Sequence, residues 1–174
     1  MMSALYALGG LVALLAIAGV VFTLLGKRLP DTPSARVSVD LARPREEVWR
    51  LIDDVRAFPE WLAGINGVET LPDRDGRRAF RQRQGRNSFV LEETLREPPS
   101  RVVRTITDDS AFFSGSWDHV LEDLGGGRTR LTVTENGSVK HAIPRAVMHY
   151  VFGEDYYLKR FAKAMREKCG AANP

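Results

Sequence analysis

The sequence predicts an α+β fold in which a curved antiparallel sheet of about seven strands surrounds a long C-terminal helix. Two short helices follow the first strand, and one transmembrane helix precedes it. Three observations predict this: an uncharged apolar start, short alternating segments separated by turns, and a long amphipathic stretch near the end. The 174 residues divide into a transmembrane helix (1–26), a linker (27–34), one domain (35–169) and a tail (170–174).

The N-terminal segment is predicted to cross a lipid bilayer through residues 4–25. These residues are mostly Leu, Val, Ala and Ile. As a helix rising about 1.5 Å per residue they span roughly 33 Å, which exceeds a hydrocarbon core of about 30 Å. A cleaved signal peptide is the rival interpretation. It is disfavoured because no basic residue precedes the apolar run, the run is long, and Gly26–Leu29 is a poor cleavage site.

Charge predicts the orientation of a single-pass membrane protein. Basic residues follow the apolar run: Lys27, Arg28, Arg36, Arg43 and Arg45. Because basic residues favour the cytoplasmic side, we expect the N-terminus outside and the folded domain in the cytoplasm.

The segment after the linker predicts one strand and two short helices. Apolar and polar residues alternate across Val37–Leu41, which is the period of a half-buried strand. A helix then begins near Pro44, because the amide that proline lacks has no partner in the first helical turn. Apolar residues recur at helical spacing through Val48–Val55. The aromatic and proline residues of Phe58–Trp61 end that helix.

Six further strands are predicted, each bounded by Gly, Pro, Asp or Asn. They are Gly67–Leu71, Arg77–Gln84, Ser88–Arg96, Arg101–Thr107, Phe112–Glu122 and Thr129–Val139. A long helix is then predicted from Pro144 to about Lys168. Its apolar stripe consists of Met148, Val151, Leu158, Ala162 and Met165. Only this helix is long enough to cover the sheet, and the gap between them is the natural ligand cavity.

Four segments, in this order along the chain, resemble one known family. The first is the predicted strand and short helix followed by the bend Phe58-Pro59-Glu60-Trp61. The other three are Phe113–Trp117, Thr132–Gly137, and Ile143-Pro144-Arg145 together with Val151-Phe152-Gly153. Over about residues 34–166 the chain resembles START-like helix-grip proteins, specifically the polyketide cyclase/dehydrase (SRPBCC) family. The resemblance implies a cavity for a hydrophobic or amphipathic small molecule, such as a lipid, a quinone or a polyketide-like compound. Two alternatives stay open: a cyclase, dehydratase or hydrolase of an aromatic or polyketide-like substrate, and an accessory interaction domain whose cavity is filled.

Polar residues at inward-facing positions are the candidates for chemistry. On the strands they are Glu93, Arg104, His119 and Glu135, and in the helix stripe Asp155. For Arg104, Glu135 and Asp155 we expect either a buried ion pair, a polar end that orients a ligand oxygen, or acid–base catalysis. His119 is a catalytic candidate by residue type, because its charge changes near neutral pH. Glu135 and Asp155 are the other two.

Apolar residues complete the predicted cavity lining. They are Trp61, Phe89, Leu91, Trp117, Met148 and Val151.

Other site classes have little support in the sequence. His141, His149 and the single Cys169 have no partners at metal-ligand spacing, so neither a metal site nor a disulfide is expected. A phosphate-binding glycine loop is lacking, so no cofactor is predicted. The net charge is only +3, and the predicted outer face with Arg77, Arg81 and Arg83 has no aromatic residue, so nucleic acid is not expected. That face suits anionic lipid headgroups instead.

Overall fold

This computed structural model describes residues 2–108, 113–153 and 155–170. The strands are β1 (Ser34–Leu41), β2 (Ile65–Arg74), β3 (Arg77–Gln84), β4 (Asn87–Glu97), β5 (Arg101–Ile106), β6 (Phe113–Gly125) and β7 (Arg128–Val139). The helices are α1 (Met2–Arg28), α2 (Arg45–Asp53), α3 (Phe58–Trp61), α4 (Ala142–Val147) and α5 (Tyr156–Cys169). A 3-10 turn (Val55–Ala57) precedes α3, and a π-helical segment (Met148–Phe152) follows α4.

The seven strands form one curved antiparallel sheet in the order β1-β7-β6-β5-β4-β3-β2, which confirms the predicted fold class. The first strand, β1, pairs with the last strand, β7, at one edge of the sheet, and Val37 lies opposite Val133. One end of the sheet is where β1, β2, β4 and β6 begin and β3, β5 and β7 end. We call it the α1 end, because β1 continues there from the segment that follows α1.

The strand predictions from alternation are confirmed. The bounds of β3 are those predicted, and the other strands differ by a few residues. The predicted start of the sixth strand at Phe112 lies outside the described residues. The two short helices are also present, although Phe58–Trp61 forms the second helix itself rather than only ending the first.

The C-terminal helix differs from the prediction of one helix from Pro144 to Lys168. Helix α4 ends at Val147, the π-helical segment follows, and α5 begins only at Tyr156. Gly153 has φ 85°, a left-handed conformation that stops a right-handed helix and that glycine adopts without steric cost. The helical phase therefore does not continue from the first half of the predicted helix into the second.

Helix α5 packs directly on the half of the sheet that contains β1. Its inward side chains are buried against those of β1, β5, β6 and β7; on the helix they are Leu158, Phe161, Ala162 and Met165. Met165 and the facing Leu131 and Leu41 have no exposed surface. The gap expected between the sheet and the C-terminal helix is thus filled along α5.

A second apolar cluster lies under α3 and β2 on the same face of the sheet. Its buried members are Val55, Phe58, Phe80, Leu91 and Ile106. Trp61, Leu62 and Trp117 pack against both clusters and join them.

Helix α1 is long and apolar enough over Leu8–Arg28 to cross a membrane. Its last third packs against α4. The α1 residues that are half-buried or buried there recur at helical spacing; they are Ala18, Gly19, Phe22, Thr23, Leu25 and Gly26.

Arg145 of α4 fixes this junction from the inside. The guanidinium is buried and donates to the carbonyl oxygens of Gly26 (3.3 Å), Leu29 (3.1 Å) and Val139 (2.8 Å). It also pairs with Asp31. Because one side chain bonds to the end of α1, to the linker and to the end of β7, these three parts are held as one unit.

We predict that Gly26→Ala separates α1 from α4. A Cβ atom at this position would overlap the backbone carbonyl of Ala142, which cannot move without shifting α4. Tryptic cleavage after Lys27 or Arg28 should therefore become faster in the detergent-solubilised chain. The matched control is Gly10→Ala, where a Cβ atom meets nothing within 4 Å. It should gain up to about 1 kcal/mol of helix propensity and leave cleavage unchanged. Equal cleavage of both variants would contradict the packing described.

Candidate functional site

A buried ion pair crosses the concave face of the sheet between β4 and β5. Arg104 donates to Glu93 Oε1 from Nε (3.2 Å) and Nη2 (3.1 Å), and the two residues are each 3 % exposed. Nη2 also donates to the carbonyl oxygen of Ile52 at the end of α2 (2.6 Å). This pair, Glu93 with Arg104, therefore attaches α2 to the sheet and is closed off from solvent.

Three further charged residues extend the pair toward the surface. Glu93 Oε2 lies 3.4 Å from Arg78 and 3.3 Å from Arg96. Both arginines also bond to Asp53. Burial alone would raise the pKa of Asp53, but the bonds from Arg96 and Arg78 lower it below its ordinary value. Sequence reasoning missed these partners, because only the strand register brings β3, β4 and the end of α2 together.

The structure corrects the predicted surroundings of Asp155 and Val151. Asp155 stands immediately before α5 and pairs with Lys159 at 2.8 Å, not with Arg104. Val151 is 61 % exposed, so it does not face the interior. Both predictions carried one helical phase through Gly153, where the helix is interrupted.

His119 lies on the concave face but is a neutral core residue. Its ring meets the edge of Phe161 with centroids 5.6 Å apart. Burial and then the positive charge of Arg104 lower the pKa of His119 from 6.5 to about 3. The backbone of Trp117 and of Val102 opposes the lowering of this pKa. The Nδ1 atom of His119 is buried and has no hydrogen-bond partner in the described part of the chain. A histidine with so low a pKa is neutral near neutral pH and lacks the second ring proton, which makes it a poor general acid.

Glu135 is a half-buried acid on the same face of the sheet. It lies directly opposite Trp117 in the register of β6 and β7. Burial raises the pKa of Glu135, and a hydrogen bond with the Trp117 side chain opposes the rise. Its Oε2 is buried and has no hydrogen-bond partner in the described part of the chain. The raised pKa makes this carboxyl easier to protonate than an exposed one, and its Oε2 has a free position for a polar partner.

Five half-buried apolar side chains pack against the second apolar cluster toward the α1 end. We call them the apolar rim: Leu62, Ile65, Phe89, Phe113 and Trp117. Ile65 and Phe113 begin their strands, and Phe89 is the third residue of β4. Glu135 lies four residues, or about 13 Å, before the end of β7 at about 3.3 Å per residue. Phe113 and Ile65 are therefore nearer the α1 end than Glu135, and Trp117 is level with Glu135 along the strands.

Two glycines position the Phe113 ring in this rim. Gly115 and Gly137 are register partners on β6 and β7. A Cβ atom on Gly137 would come within 3.1 Å of the Phe113 ring, and one on Gly115 within 2.8 Å of the Asn136 carbonyl oxygen. The ring therefore lies over backbone that carries no side chain. Phe113 shares the face of Trp117 by alternation, which is the sequence signal that identifies it.

The remaining predicted lining residues divide between core and surface. Leu91 is buried in the cluster under α3. Trp61 stands between Phe58 and Phe161, with ring centroids 5.4 Å and 6.1 Å away. Met148 is half-buried in the π-helical segment.

Two surface clefts lie elsewhere. One of about 660 Å³ is polar and is lined by Arg36, Ser38, Asp40, Glu122, Arg130, Thr132 and Arg166. The other, of about 630 Å³, lies between the end of α2 and strands β2 and β3. Neither cleft is lined by apolar-rim residues.

The outer face of β3 is charged and exposed. Arg77, Arg81 and Arg83 are exposed, and Arg81 pairs with Glu69 at 3.2 Å. Within the described ranges, His, Cys, Asp and Glu side chains form no group of three that could hold a metal ion.

Comparison with known proteins agrees with this geometry. Residues 41–165, more than half of the chain, match the family model "Polyketide cyclase / dehydrase and lipid transport". No curated protein sequence matches the chain.

Solved structures show the same fold at low sequence identity. A START superfamily protein from Mycobacterium smegmatis has a TM-score of 0.66 at 22 % identity, covering 78 % of this chain and 96 % of that one. The Zhui aromatase/cyclase from Streptomyces sp. R1128 has a TM-score of 0.68 at 16 % identity, covering 79 % and 93 %. A conserved protein from Geobacillus kaustophilus has a TM-score of 0.58 at 17 % identity, covering 81 % and 100 %.

We predict that the two members of the buried ion pair differ in their cost of removal. Glu93→Met leaves the Arg104 guanidinium buried without a bonded acid, which should cost about 3–5 kcal/mol of unfolding free energy. Arg104→Met should cost less, because Glu93 keeps Arg78 and Arg96 within 3.4 Å. Chemical unfolding of the detergent-solubilised chain measures both. The double variant should recover much of the loss from Glu93→Met, and an equal cost for both single changes would contradict the network.

We predict that His119 destabilises the fold as the pH falls. Its pKa is about 3 in the folded chain and 6.5 ordinarily, so between these values the unfolded chain binds a proton that the folded chain does not. Unfolding free energy should therefore fall by about 1.4 kcal/mol per pH unit below pH 6.5 through this group. His119→Phe removes the group and keeps a ring. On acidification, the variant should become more stable relative to the wild type. A difference in unfolding free energy that stays constant from neutral pH to pH 4 would show that His119 is not buried as described.

Proposed function

Because this chain belongs to the polyketide cyclase/dehydrase and lipid transport family, we propose that it is a membrane-anchored domain that binds a hydrophobic small molecule carrying at least one polar oxygen. The binding surface is the apolar rim with Glu135 beneath it. A lipid, a quinone or a polyketide-like compound has this chemistry. The observation that carries the proposal is the buried Glu135 Oε2, which has no partner among the described residues and stands behind an apolar surface.

The arrangement gives each part of the ligand a stated role. An apolar body would cover Phe89, Phe113 and Trp117, which are half-buried. Removing their remaining apolar surface from water would make binding more favourable. A protonated Glu135 would donate a hydrogen bond to a ligand carbonyl or hydroxyl oxygen. This bond would supply orientation, while the apolar contacts would supply most of the affinity.

The membrane anchor in this proposal is α1. Its length and composition suffice for a span over Leu8–Arg28, and Lys27 and Arg28 lie in its last turn. Basic residues at that end support a cytoplasmic domain. Contact of the β3 arginines with anionic headgroups is best supported for Arg83, because it is next to the α1 end of the sheet. Arg77 is six residues, or about 20 Å, farther along the strand.

A filled, accessory domain is the second candidate. The packing of α5 favours it, since Leu158 and Met165 occupy the space where a larger cavity was expected. Native mass spectrometry of the detergent-extracted full chain separates the two. A co-purifying hydrophobic compound supports binding at the rim, and an unliganded chain that also fails to take up added ubiquinone or fatty acid supports the accessory role.

We predict that Trp117→Ala lowers ligand retention more than stability. Trp117 is half-buried at the rim, so its removal should cost less than the roughly 3–5 kcal/mol typical of a fully buried ring. The matched control is Trp49→Ala. Trp49 is 7 % exposed and belongs to the buried cluster on which α5 packs. Trp49→Ala should therefore cost more unfolding free energy than Trp117→Ala and leave ligand retention intact. Thermal unfolding and native mass spectrometry measure the two quantities. If both variants retain the compound equally, the rim is not the binding surface.

A further inference from the structure

The outer surface of the segment from α4 to the start of α5 is unusually apolar for a folded domain. Its exposed large side chains are Ile143 (44 %), Tyr150 (54 %), Val151 (61 %), Phe152 (49 %) and Tyr157 (44 %). Outside α1, every exposed large apolar side chain of the described residues belongs to this set. We call it the α4 patch. Contiguous apolar surface of this kind marks a place that water does not cover in the working state of a protein.

The position of the patch relative to α1 identifies what covers it. Helix α4 packs against the last third of α1, where Gly26 meets the Ala142 backbone. Arg145 then bonds to the Gly26 and Leu29 carbonyl oxygens, which fixes α4 beside the last turns of the apolar span. A surface attached at that level cannot be far from the bilayer that α1 would cross.

The composition of the patch and its borders suits the bilayer boundary. Tyrosine prefers the region between headgroups and acyl chains, where its apolar ring and its polar hydroxyl are both accommodated. Phenylalanine, valine and isoleucine are apolar side chains that suit the acyl-chain side of this boundary. Exposed cations lie at the same end of the sheet, namely Lys27, Arg28 and Lys140. These match the anionic headgroups that would surround an immersed patch.

The apolar rim is at this end as well. Phe113 and Ile65 begin their strands there, as β1 does where the linker leaves α1. The backbone of the linker pairs with the end of β7 through Asp31 and Pro33, whose carbonyl oxygens accept from Val139 and Gly137. The candidate ligand surface and the exit of α1 are therefore on one side of the molecule.

We propose that the α4 patch is immersed in the boundary between headgroups and acyl chains of the bilayer that α1 crosses. The apolar rim then opens toward the membrane, and a hydrophobic ligand passes between bilayer and rim without crossing water. This inference rests on the anchoring role proposed for α1. It adds that the domain has a fixed contact with the membrane through α4 rather than being suspended from a flexible linker.

The test places a fluorescent label in the patch of the full chain. Cys169 is the single cysteine and is replaced first, as Cys169→Ala. An NBD label is then attached at Val151→Cys or, independently, at Ile143→Cys. The control is Lys168→Cys, exposed in the last turn of α5 at the opposite end of the sheet. The proteins are reconstituted in vesicles of phosphatidylcholine and phosphatidylglycerol. Matched vesicles contain phosphatidylcholine brominated near the top of its acyl chains.

We expect blue-shifted emission, a several-fold gain in intensity, and strong quenching by brominated lipid at both patch positions, with none of these at the control. If the chain floats with vesicles but the patch labels emit as in water, the inference is overturned and the anchor stands. Blue-shifted emission without quenching would show that protein, such as a second copy of the chain, covers the patch, which also overturns it. If the chain does not float at all, the anchoring role fails and this inference fails with it.

Discussion

The guanidinium of Arg104 is the group around which the interior is organised. It attaches the end of α2 to the sheet through the Ile52 carbonyl oxygen and attaches β5 to β4 through Glu93. A buried arginine is tolerable only when its donors are satisfied and its charge is balanced, so the positions of both partners are constrained together. The same charge helps to keep His119 neutral. One ion pair therefore fixes where the helix rests, and its cation adds to the burial that keeps the histidine neutral.

The two ends of the sheet differ in how tightly their side chains are packed. At the end where α5 finishes, side chains interlock without exposed surface, and the backbone of Gly170 returns to bond with Ala42. At the α1 end, rings are only half-buried and Glu135 lacks a partner for one oxygen. The tightest packing is therefore at the end opposite the proposed ligand surface. At the α1 end, Arg145 joins the folded domain to α1.

Local periodicity predicted the sheet well, because alternation along β3 depends only on neighbouring residues. It failed at Gly153, since a glycine inside an amphipathic pattern does not by itself end a helix. Using one helical phase on both sides of Gly153 turned Val151 inward and gave Asp155 the wrong partner. The Glu93–Arg104 pair was also beyond reach, although both residues were assigned to the inner face. Their pairing depends on the register of two strands, and that register contains an irregularity after Glu93.

The interruption at Gly153 has a consequence for how this protein can change over generations. The π-helical segment buries none of its residues, and α5 packs on the sheet without help from it. Substitutions at the exposed positions 150–152 are therefore expected to change the surface of the α4 patch at little cost in folding free energy. Selection can vary this surface without first accumulating compensating mutations in the core. An uninterrupted helix would couple every such trial to the packing of Leu158 and Met165.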